Sequence, residues 1–334
     1  MFAFPRIVTR TALMALMATS LVMGLLACSG DAQSLRDRLK ARVAERKAAG
    51  SSGGLQTVAI TVGGLERRFL IHVPATLEDR PGAIMVLHGG RGTGEGIMET
   101  SGMNAAADEG GFLAVYPEAA GEGARWNSGT AVSAGGPDDI AYLRAVIAML
   151  QDDYNLDPAR VFATGISSGG SMLYGIACQA PGLVGAIAPV AANLSEGQRA
   201  ACAPGDGTPI VMFSGTADPL MTFTGGPATL KIGKQPENAG ADPLMSAPDT
   251  LAFWAGVNGC GPASETELRD SSNDGTTVTE IRHDCGSNAT TMYRINGGGH
   301  AWPGSASSRK ITGPTSQDIS ATATMVQFFA GYGL

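Results

Sequence analysis

VFATGISSGGSMLYGIACQA, residues 161–180, is the stretch of sequence that decides the fold. Its first residues form an apolar run typical of a buried strand, and residues 168–180 carry the pattern of a helix. Residues 165–169, Gly-Ile-Ser-Ser-Gly, match G-x-S-x-G, a sharp strand-to-helix turn that exposes a Ser hydroxyl at the edge of a sheet. The pattern recurs at residues 50–54, where no strand is predicted before it and no helix after it. We therefore interpret Ser167 as a nucleophile, with a purely structural turn as the alternative.

Short apolar runs alternate with helical patterns through the rest of the chain. Runs that predict buried strands lie at residues 58–60, 69–71, 84–87, 112–115, 161–163 and 210–213. Helices are predicted near residues 96–108, 138–153, 168–180, 248–257 and 317–329. This alternation predicts an α/β fold in a single catalytic domain, with a mostly parallel twisted sheet and helices on both of its faces.

The overall composition indicates a globular protein with one sizeable core, because 44% of the 334 residues are hydrophobic and only 16% are charged. The 47 glycines predict many tight turns. With 30 acidic against 23 basic residues, the formal net charge is −7. An acidic body argues against nucleic acid as a partner.

The N-terminus predicts export. Arg6 and Arg10 precede an apolar stretch at residues 11–27 that ends in small residues, as in a signal peptide. Residues 25–28, Leu-Leu-Ala-Cys, resemble the bacterial lipobox, in which the Cys becomes the acylated first residue; a plain secretory signal with a chance Cys is the alternative. We expect a signal peptide at 1–27, a lipid-anchored tether or linker at 28–54 and the catalytic domain at 55–334. The predicted location is extracellular or periplasmic, at a membrane through a lipid on Cys28.

Four cysteines remain when Cys28 is set aside, so we expect two disulfides in one of three possible connectivities. We favour Cys178 with Cys202 and Cys260 with Cys285. A metal site is the alternative, but the chain has no C-x-x-C pair and no nearby His cluster with zinc spacing. We therefore expect no metal.

A Ser nucleophile needs a base within hydrogen-bond reach, and the chain has only four His. Three of them are poorer candidates: His72 lies in an early strand, His88 precedes a different glycine loop, and His283 lies beside an expected disulfide. His300 lies in the glycine loop 296–304, after a predicted strand at 291–295, where a mobile imidazole could be aimed at a substrate. We predict His300 as the general base.

The third group should be an acid that follows a strand and comes between the Ser and the His in chain order. Asp218 fits best, because it follows the apolar run 210–213 through a short turn. The rivals are Asp206 and Asp242, which lack a preceding strand, and Asp249, which we interpret as a helix cap. We predict that Asp218 orients the imidazole.

Acyl transfer also needs donors for the oxyanion. Gly90 follows the strand predicted at 84–87 and offers a backbone N–H, and the backbone N–H of Ser168 is the expected partner. A phosphate-binding glycine loop is the alternative, but the Walker pattern is absent. Trp126 and Trp302 are candidate walls of the substrate pocket, with ordinary core packing as the alternative for each.

Taken together, these motifs resemble the polyhydroxybutyrate depolymerase and feruloyl esterase group of α/β-hydrolases over about residues 65–329. The matching motifs, in chain order, are residues 88–90 (His-Gly-Gly), 126–127 (Trp-Asn), 138–141 (Asp-Asp-Ile-Ala), 155–161 (Asn-Leu-Asp-Pro-Ala-Arg-Val), 165–169, 215–220 (Gly-Thr-Ala-Asp-Pro-Leu), 246–248 (Ser-Ala-Pro) and 299–304 (Gly-His-Ala-Trp-Pro-Gly). The resemblance implies an α/β-hydrolase fold, the triad of Ser167, Asp218 and His300, and both favoured cysteine pairs. Ser168 departs mildly from the group, which often has Asn there.

The resemblance implies two-step ester hydrolysis through an acyl-enzyme, with no cofactor or metal. The expected substrates are polyhydroxybutyrate or hydroxyalkanoate oligomers or feruloyl-type esters, small or polymeric. One alternative is a carbohydrate-acetyl esterase or a peptidase on the same fold. A second, from a different class, is a non-catalytic surface lipoprotein whose triad is idle.

Overall fold

The computed structural model describes residues 54–121, 123–130, 135–203, 207–227, 242–306 and 312–334. These residues belong to one compact unit, Ser52–Leu334. The predicted signal peptide, Cys28 and the tether as far as residue 53 lie outside the described residues. The first strand begins at Gly54, so the last residue assigned to the tether is part of the sheet. In the ranges described, no helix is both long and apolar enough to cross a membrane.

The described strands form one ten-stranded sheet, in the order β1-β2-β4-β3-β5-β6-β7-β10-β9-β8. They are β1 (Gly54–Val62), β2 (Leu65–Val73), β3 (Ala83–Leu87), β4 (Leu113–Pro117), β5 (Val161–Ile166), β6 (Ile187–Val190), β7 (Ile210–Gly215), β8 (Ala263–Glu267), β9 (Thr277–His283) and β10 (Thr290–Asn296). Neighbours from β4 across to β10 pair in parallel, whereas the two outermost pairings on each side are antiparallel. The predicted mostly parallel sheet is therefore confirmed.

The helices are α1 (Gly94–Ser101), α2 (Met103–Gly110), α3 (Asp139–Tyr154), α4 (Ser168–Gln179), α5 (Glu196–Ala201), α6 (Ala247–Val257) and α7 (Ala321–Ala330), with a short 3-10 turn at Pro158–Arg160. Several begin at a side-chain oxygen that accepts a backbone N–H of the first turn, which satisfies a donor that has no partner inside the helix. These caps are Thr93, Asp138, Ser195, Ser246 and Ser320.

Both faces of the central strands are buried. Along β3, Ala83, Met85 and Leu87 contribute to one apolar core, and Ile84 and Val86 contribute to the other. The first core also contains residues of α3, α4 and α6, and the second contains residues of α1, α2 and α7. Helices thus cover both faces, as the near-continuous apolar strand sequences predicted.

Three helix predictions need correction. The helix predicted near residues 96–108 is two helices, because Gly102 takes the left-handed conformation at φ 61° and ends α1. The helix predicted near residues 317–329 begins only at Ala321, after its cap Ser320. Asp249 is not a cap: Ser246 caps α6, and Asp249 lies in the first turn.

Two disulfides are present among the described residues, Cys178–Cys202 and Cys260–Cys285, the pairings favoured from the sequence. The first joins the end of α4 to the end of α5. The second joins the residues that follow α6 and β9. Each bond therefore links two elements that pack on or beside the sheet.

The predicted site residues gather at one edge of the sheet. Gly90 follows β3, Ser167 follows β5, Asp218 follows β7 and His300 follows β10, each within a few residues of the strand end. Because these four strands belong to the parallel part of the sheet, their carboxyl ends open on the same side of it, where ligands bind in α/β proteins.

Candidate active site

Ser167 lies in a strained turn between β5 and α4, with φ 58° and ψ −120°. Positive φ is uncommon for a residue other than glycine and tends to occur at functional sites. The turn packs tightly against the end of β3. A Cβ on Gly165 would lie 2.9 Å from the Cβ of Leu87, and a Cβ on Gly169 would overlap the Leu87 carbonyl oxygen, so both positions require glycine. The backbone at Ser167 therefore has the conformation that the G-x-S-x-G pattern predicts.

His300 is hydrogen-bonded to Asp218, with 2.8 Å between Nδ1 and Oδ2. The two side chains are only 9% and 1% exposed. Since a carboxylate accepts hydrogen bonds, Nδ1 carries the proton and Nε2 is the basic nitrogen of the neutral ring. His300 lines the cavity that also contains Ser167. No hydrogen bond joins the described side chains of Ser167 and His300, and such bonds are often long before substrate binds.

Backbone groups hold this pair in place. Oδ1 of Asp218 accepts the N–H groups of Leu220 and Met221, both at 2.8 Å, which fixes the carboxylate and leaves Oδ2 for the imidazole. The N–H of His300 donates to the carbonyl of Thr312 at 2.6 Å. Two contacts therefore orient the imidazole: the hydrogen bond to the Asp218 carboxylate and the hydrogen bond of the His300 backbone.

The glycine loop after β3 is organised by the buried imidazole of His88. Its Nδ1 lies 2.7 Å from the Gly89 carbonyl oxygen, and its Nε2 accepts the N–H of Ala119 at 3.1 Å. Burial lowers the pKa of His88 below its ordinary value, so the ring is neutral, with the proton on Nδ1. The indole N–H of Trp126 donates to the His88 carbonyl at 2.9 Å. These contacts fix the backbone that leads into Gly90.

Ser168 connects the start of α4 to the Trp-Asn motif. Its hydroxyl accepts the backbone N–H of Trp126 at 3.2 Å, and the next N–H, of Asn127, donates to Asp139 at 2.6 Å. Asp139 also forms a 2.6 Å ion pair with Arg67, and both side chains are almost fully buried. Burial raises the pKa of the Asp139 carboxyl in spite of these hydrogen bonds and this ion pair. The loop that carries Trp126 is therefore anchored to both the elbow and β2.

A cavity of about 540 Å³ lies above the sheet edge. Ser167, Ser168, Gly90 and His300 all line it, so the structure brings together the predicted nucleophile, base and oxyanion donors. A volume of this size suits a small ligand or one end of a longer one.

Trp126 and Trp302 also line the cavity, although their side chains are buried, at 1% and 2% exposure. The indole N–H of Trp302 donates to the hydroxyl of Thr322 at 2.9 Å. Each residue therefore belongs to an apolar core and also lines the cavity, which combines the two interpretations given above.

Three charged residues at the cavity were missed or assigned otherwise. Asp242, a rival for the orienting acid, lines the cavity but accepts from the Ser195 hydroxyl at 2.8 Å and from the Gly197 N–H at 2.7 Å. Arg91 and Arg125 were not singled out, although each adjoins a motif that was. In the part of the chain that is described, no three His, Cys, Asp or Glu side chains gather as a metal site would require.

Comparison with known proteins gives the following matches. Residues 67–205 match the family described as "Esterase PHB depolymerase". The chain is 32% identical over 289 residues to a Nocardia uniformis subsp. tsuyamanensis protein named "Putative esterase NocK", covering 81% of each. It is 30% identical over 201 residues to feruloyl esterase B of Piromyces equi, covering 59% of this chain and 35% of that protein. The solved acetyl xylan esterase from Aspergillus awamori superposes with a TM-score of 0.55 at 20% identity, over 75% of this chain and 94% of the other, which shows a shared fold.

Proposed function

Because this chain belongs to the polyhydroxybutyrate depolymerase and feruloyl esterase group of α/β-hydrolases and is an ester-hydrolysing enzyme, we propose that it works through a triad of Ser167, His300 and Asp218. The observation that carries the proposal is the 2.8 Å bond between His300 Nδ1 and Asp218 Oδ2, made at a cavity that also holds Ser167. A fixed Nδ1 proton leaves Nε2 free to accept the Ser167 proton.

In the proposed first step, the Ser167 oxygen attacks the carbonyl carbon of the ester while Nε2 of His300 takes the hydroxyl proton. The resulting imidazolium gives this proton to the departing alcohol as the tetrahedral intermediate collapses to an acyl-enzyme. Water then attacks the acyl group by the same route, with His300 again acting as base, and releases the acid. Asp218 stabilises the imidazolium in both steps without taking a proton.

The proposed oxyanion donors are the backbone N–H groups of Gly90 and Ser168. Ser168 is the first residue of α4, so its N–H has no acceptor within the helix and adds to the positive end of the helix dipole. Among the described residues, no acceptor takes the N–H of Gly90 or of Ser168. Both donors are thus available to an oxygen that becomes negatively charged beside Ser167.

The proposed substrates are hydroxyalkanoate oligomers or feruloyl-type esters. Apolar side chains in the cavity, among them Ile97, Leu220, Met221 and Leu244, suit an aliphatic or aromatic acyl group. Carbohydrate acetyl esters are a second candidate class, supported by 31% identity over 121 residues to acetylxylan esterase A of Aspergillus oryzae. A panel of acetyl, 3-hydroxybutyryl and feruloyl esters separates these classes.

We further propose a signal peptide at 1–27, a lipid-anchored tether at 28–53 and the esterase domain at 54–334, since Gly54 already belongs to the sheet. The Leu-Leu-Ala-Cys motif supports acylation at Cys28, and the two disulfides support an oxidising compartment outside the cytoplasm. Fractionation of cells that express the wild type and Cys28→Ser tests the anchor. Equal solubility of the two exported proteins would refute it.

The test of the mechanism compares Ser167→Ala with its neighbour Ser168→Ala on a nitrophenyl butyrate. We expect Ser167→Ala to lose several orders of magnitude in kcat, and Ser168→Ala to lose far less, because its backbone N–H remains. Labelling by a fluorophosphonate should disappear in Ser167→Ala and persist in Ser168→Ala. Near-normal turnover by folded Ser167→Ala would refute the mechanism, and an unlabelled, inactive wild type would favour a non-catalytic surface lipoprotein.

A further inference from the structure

Two arginine side chains, Arg91 and Arg125, line the cavity beside Ser167. Neither guanidinium forms a hydrogen bond or an ion pair with any group among the described residues. By contrast, Arg67 and Arg160 pair with carboxylates. A guanidinium is charged at every physiological pH, so the two side chains bring positive charge to the cavity without a partner in the described protein.

The side chain of Arg125 passes directly beside the predicted oxyanion loop. A Cβ built on Gly90 would lie 3.4 Å from the Cγ and 3.7 Å from the Nε of Arg125, and 3.9 Å from the Cβ of Ser168. The backbone is anchored at the next residue, Trp126, whose N–H donates to the hydroxyl of Ser168. Arg125 and Ser168 therefore both lie close to Gly90, the proposed oxyanion donor.

Arg91 extends the same loop and is also held by its backbone. It adopts φ 62°, and its N–H donates to the carbonyl of Gly123 at 2.7 Å. Arg91 is exposed whereas Arg125 is half-buried, so solvent screens the charge of Arg91 more strongly. Both residues line the same cavity as Ser167.

Among the described residues that line this cavity, Asp242 carries the negative charge. Its two carboxylate oxygens already accept hydrogen bonds from the Ser195 hydroxyl and the Gly197 N–H. The carboxylate of Asp218 lies behind the cavity and is engaged by His300. Among the described side chains, the two arginines are therefore the charged groups at the cavity that have no partner, in a chain whose net charge is −7. Positive charge in a partly enclosed cleft attracts anionic substrates and holds them there.

We propose that Arg91 and Arg125 select esters that carry a second, ionised carboxylate close to the scissile ester bond. This inference rests on the proposed esterase function and specifies its substrate class. The planar guanidinium matches a carboxylate with two parallel hydrogen bonds, which makes these residues specificity determinants rather than catalytic residues. The carboxylate could belong to the acyl part or to the alcohol part of the ester, and the shared chemistry is the same.

The experiment measures kcat/KM of the full-length protein for matched anionic and neutral esters. For the acyl side, 4-nitrophenyl hydrogen adipate is compared with 4-nitrophenyl heptanoate. For the alcohol side, 3-acetoxybutanoate is compared with its neutral amide. We expect the wild type to prefer the anionic member of at least one pair, and the preference to decline as salt is raised from about 0.02 to about 0.5 M.

Arg125→Gln should lower kcat/KM for the preferred anionic ester about ten-fold, since a charge-assisted hydrogen bond is lost, and should change kcat/KM for the neutral ester less than about two-fold. Arg91→Gln should have a smaller effect, because Arg91 is more exposed to solvent. Arg125→Lys should restore part of the preference. Arg80→Gln is the control for net charge, because Arg80 lies before β3, at the opposite edge of the sheet, in an exposed pair with Asp157.

The outcomes separate this inference from the proposed function. If the wild type hydrolyses neutral esters through Ser167 but shows no charge preference in either pair, the inference is overturned and the esterase function stands. Equal losses on anionic and neutral esters in Arg125→Gln would likewise overturn it, because they would indicate a structural role. If no ester of either kind is hydrolysed, both proposals fail.

Discussion

Replacing Arg67 by Met should lower the free energy of unfolding by about 3–5 kcal/mol near pH 8, because it removes the counter-ion of a buried carboxylate. The side chains of Arg67 and Asp139 are 2% and 0% exposed and lie 2.6 Å apart, so water has no access to the orphaned charge. Met keeps an apolar stem near the ring of Tyr142, over which the guanidinium lies at 3.8 Å. At about 2–4 °C per kcal/mol, the loss corresponds to a fall in Tm of about 6–20 °C.

The penalty should depend on pH. Burial already raises the pKa of Asp139 above its ordinary value, and loss of Arg67 should raise it further. A carboxyl whose pKa is higher in the folded than in the unfolded state binds more protons when folded, so stability rises as the pH falls through the folded pKa toward the unfolded value. The difference between Arg67→Met and the wild type should therefore shrink between pH 8 and pH 5.

Urea unfolding at both pH values measures this effect. The control is the double variant Arg67→Met with Asp139→Asn, which removes the charge but keeps an acceptor for the N–H of Asn127. It should recover most of the lost stability at pH 8. A single-variant loss below about 1 kcal/mol, or one that is the same at both pH values, would refute the assignment of an energetically coupled buried pair.

Three other predictions concern the triad, the second disulfide and the glycine loop. Asp218→Asn should lower kcat on a nitrophenyl butyrate about 10⁴-fold with Tm nearly unchanged, because the amide no longer fixes the imidazole tautomer; a loss below about ten-fold would contradict this. Replacing both Cys260 and Cys285 by Ser should cost about 3–4 kcal/mol in urea unfolding, since the bond closes a loop of 25 residues, and equal stability with and without the bond would disprove it. Because burial lowers the pKa of His88, the unfolded state binds more protons below about pH 6.5, so wild-type stability should fall with pH from there down to the folded pKa, at up to about 1.4 kcal/mol per unit. His88→Gln should show a smaller fall between pH 7 and pH 5 in the same assay, and an identical fall would exclude His88 as its source.

The sequence predicted the parts of the fold whose signals are local. The apolar strands at the centre of the sheet, the elbow at Ser167 and the glycine loop at His300 each depend on residues adjacent in the chain. The outer strand β8 has five exposed residues and no apolar pattern, so its strand conformation depends on pairing with β9. The short elements β6 and α5, with four and six residues, give too brief a pattern to be recognised.

The site residues likewise divide into those with a local sequence signal and those without one. Ser167, Asp218 and His300 were predicted because each follows a strand within a recognisable motif. Arg91 and Arg125 were missed, because only the three-dimensional approach of two loops directs both side chains to one cavity. No periodic pattern in a loop reports which way its side chains point.

The close packing of the elbow glycines restricts where this enzyme would tolerate change in laboratory evolution. A Cβ at Gly170 would lie 2.5 Å from the Cβ of Ala192, and one at Gly165 would lie 2.8 Å from the backbone of Gly169. Saturation of these positions should yield mainly misfolded clones. New acyl selectivity would have to come from libraries at other residues that line the cavity, for example at Met221.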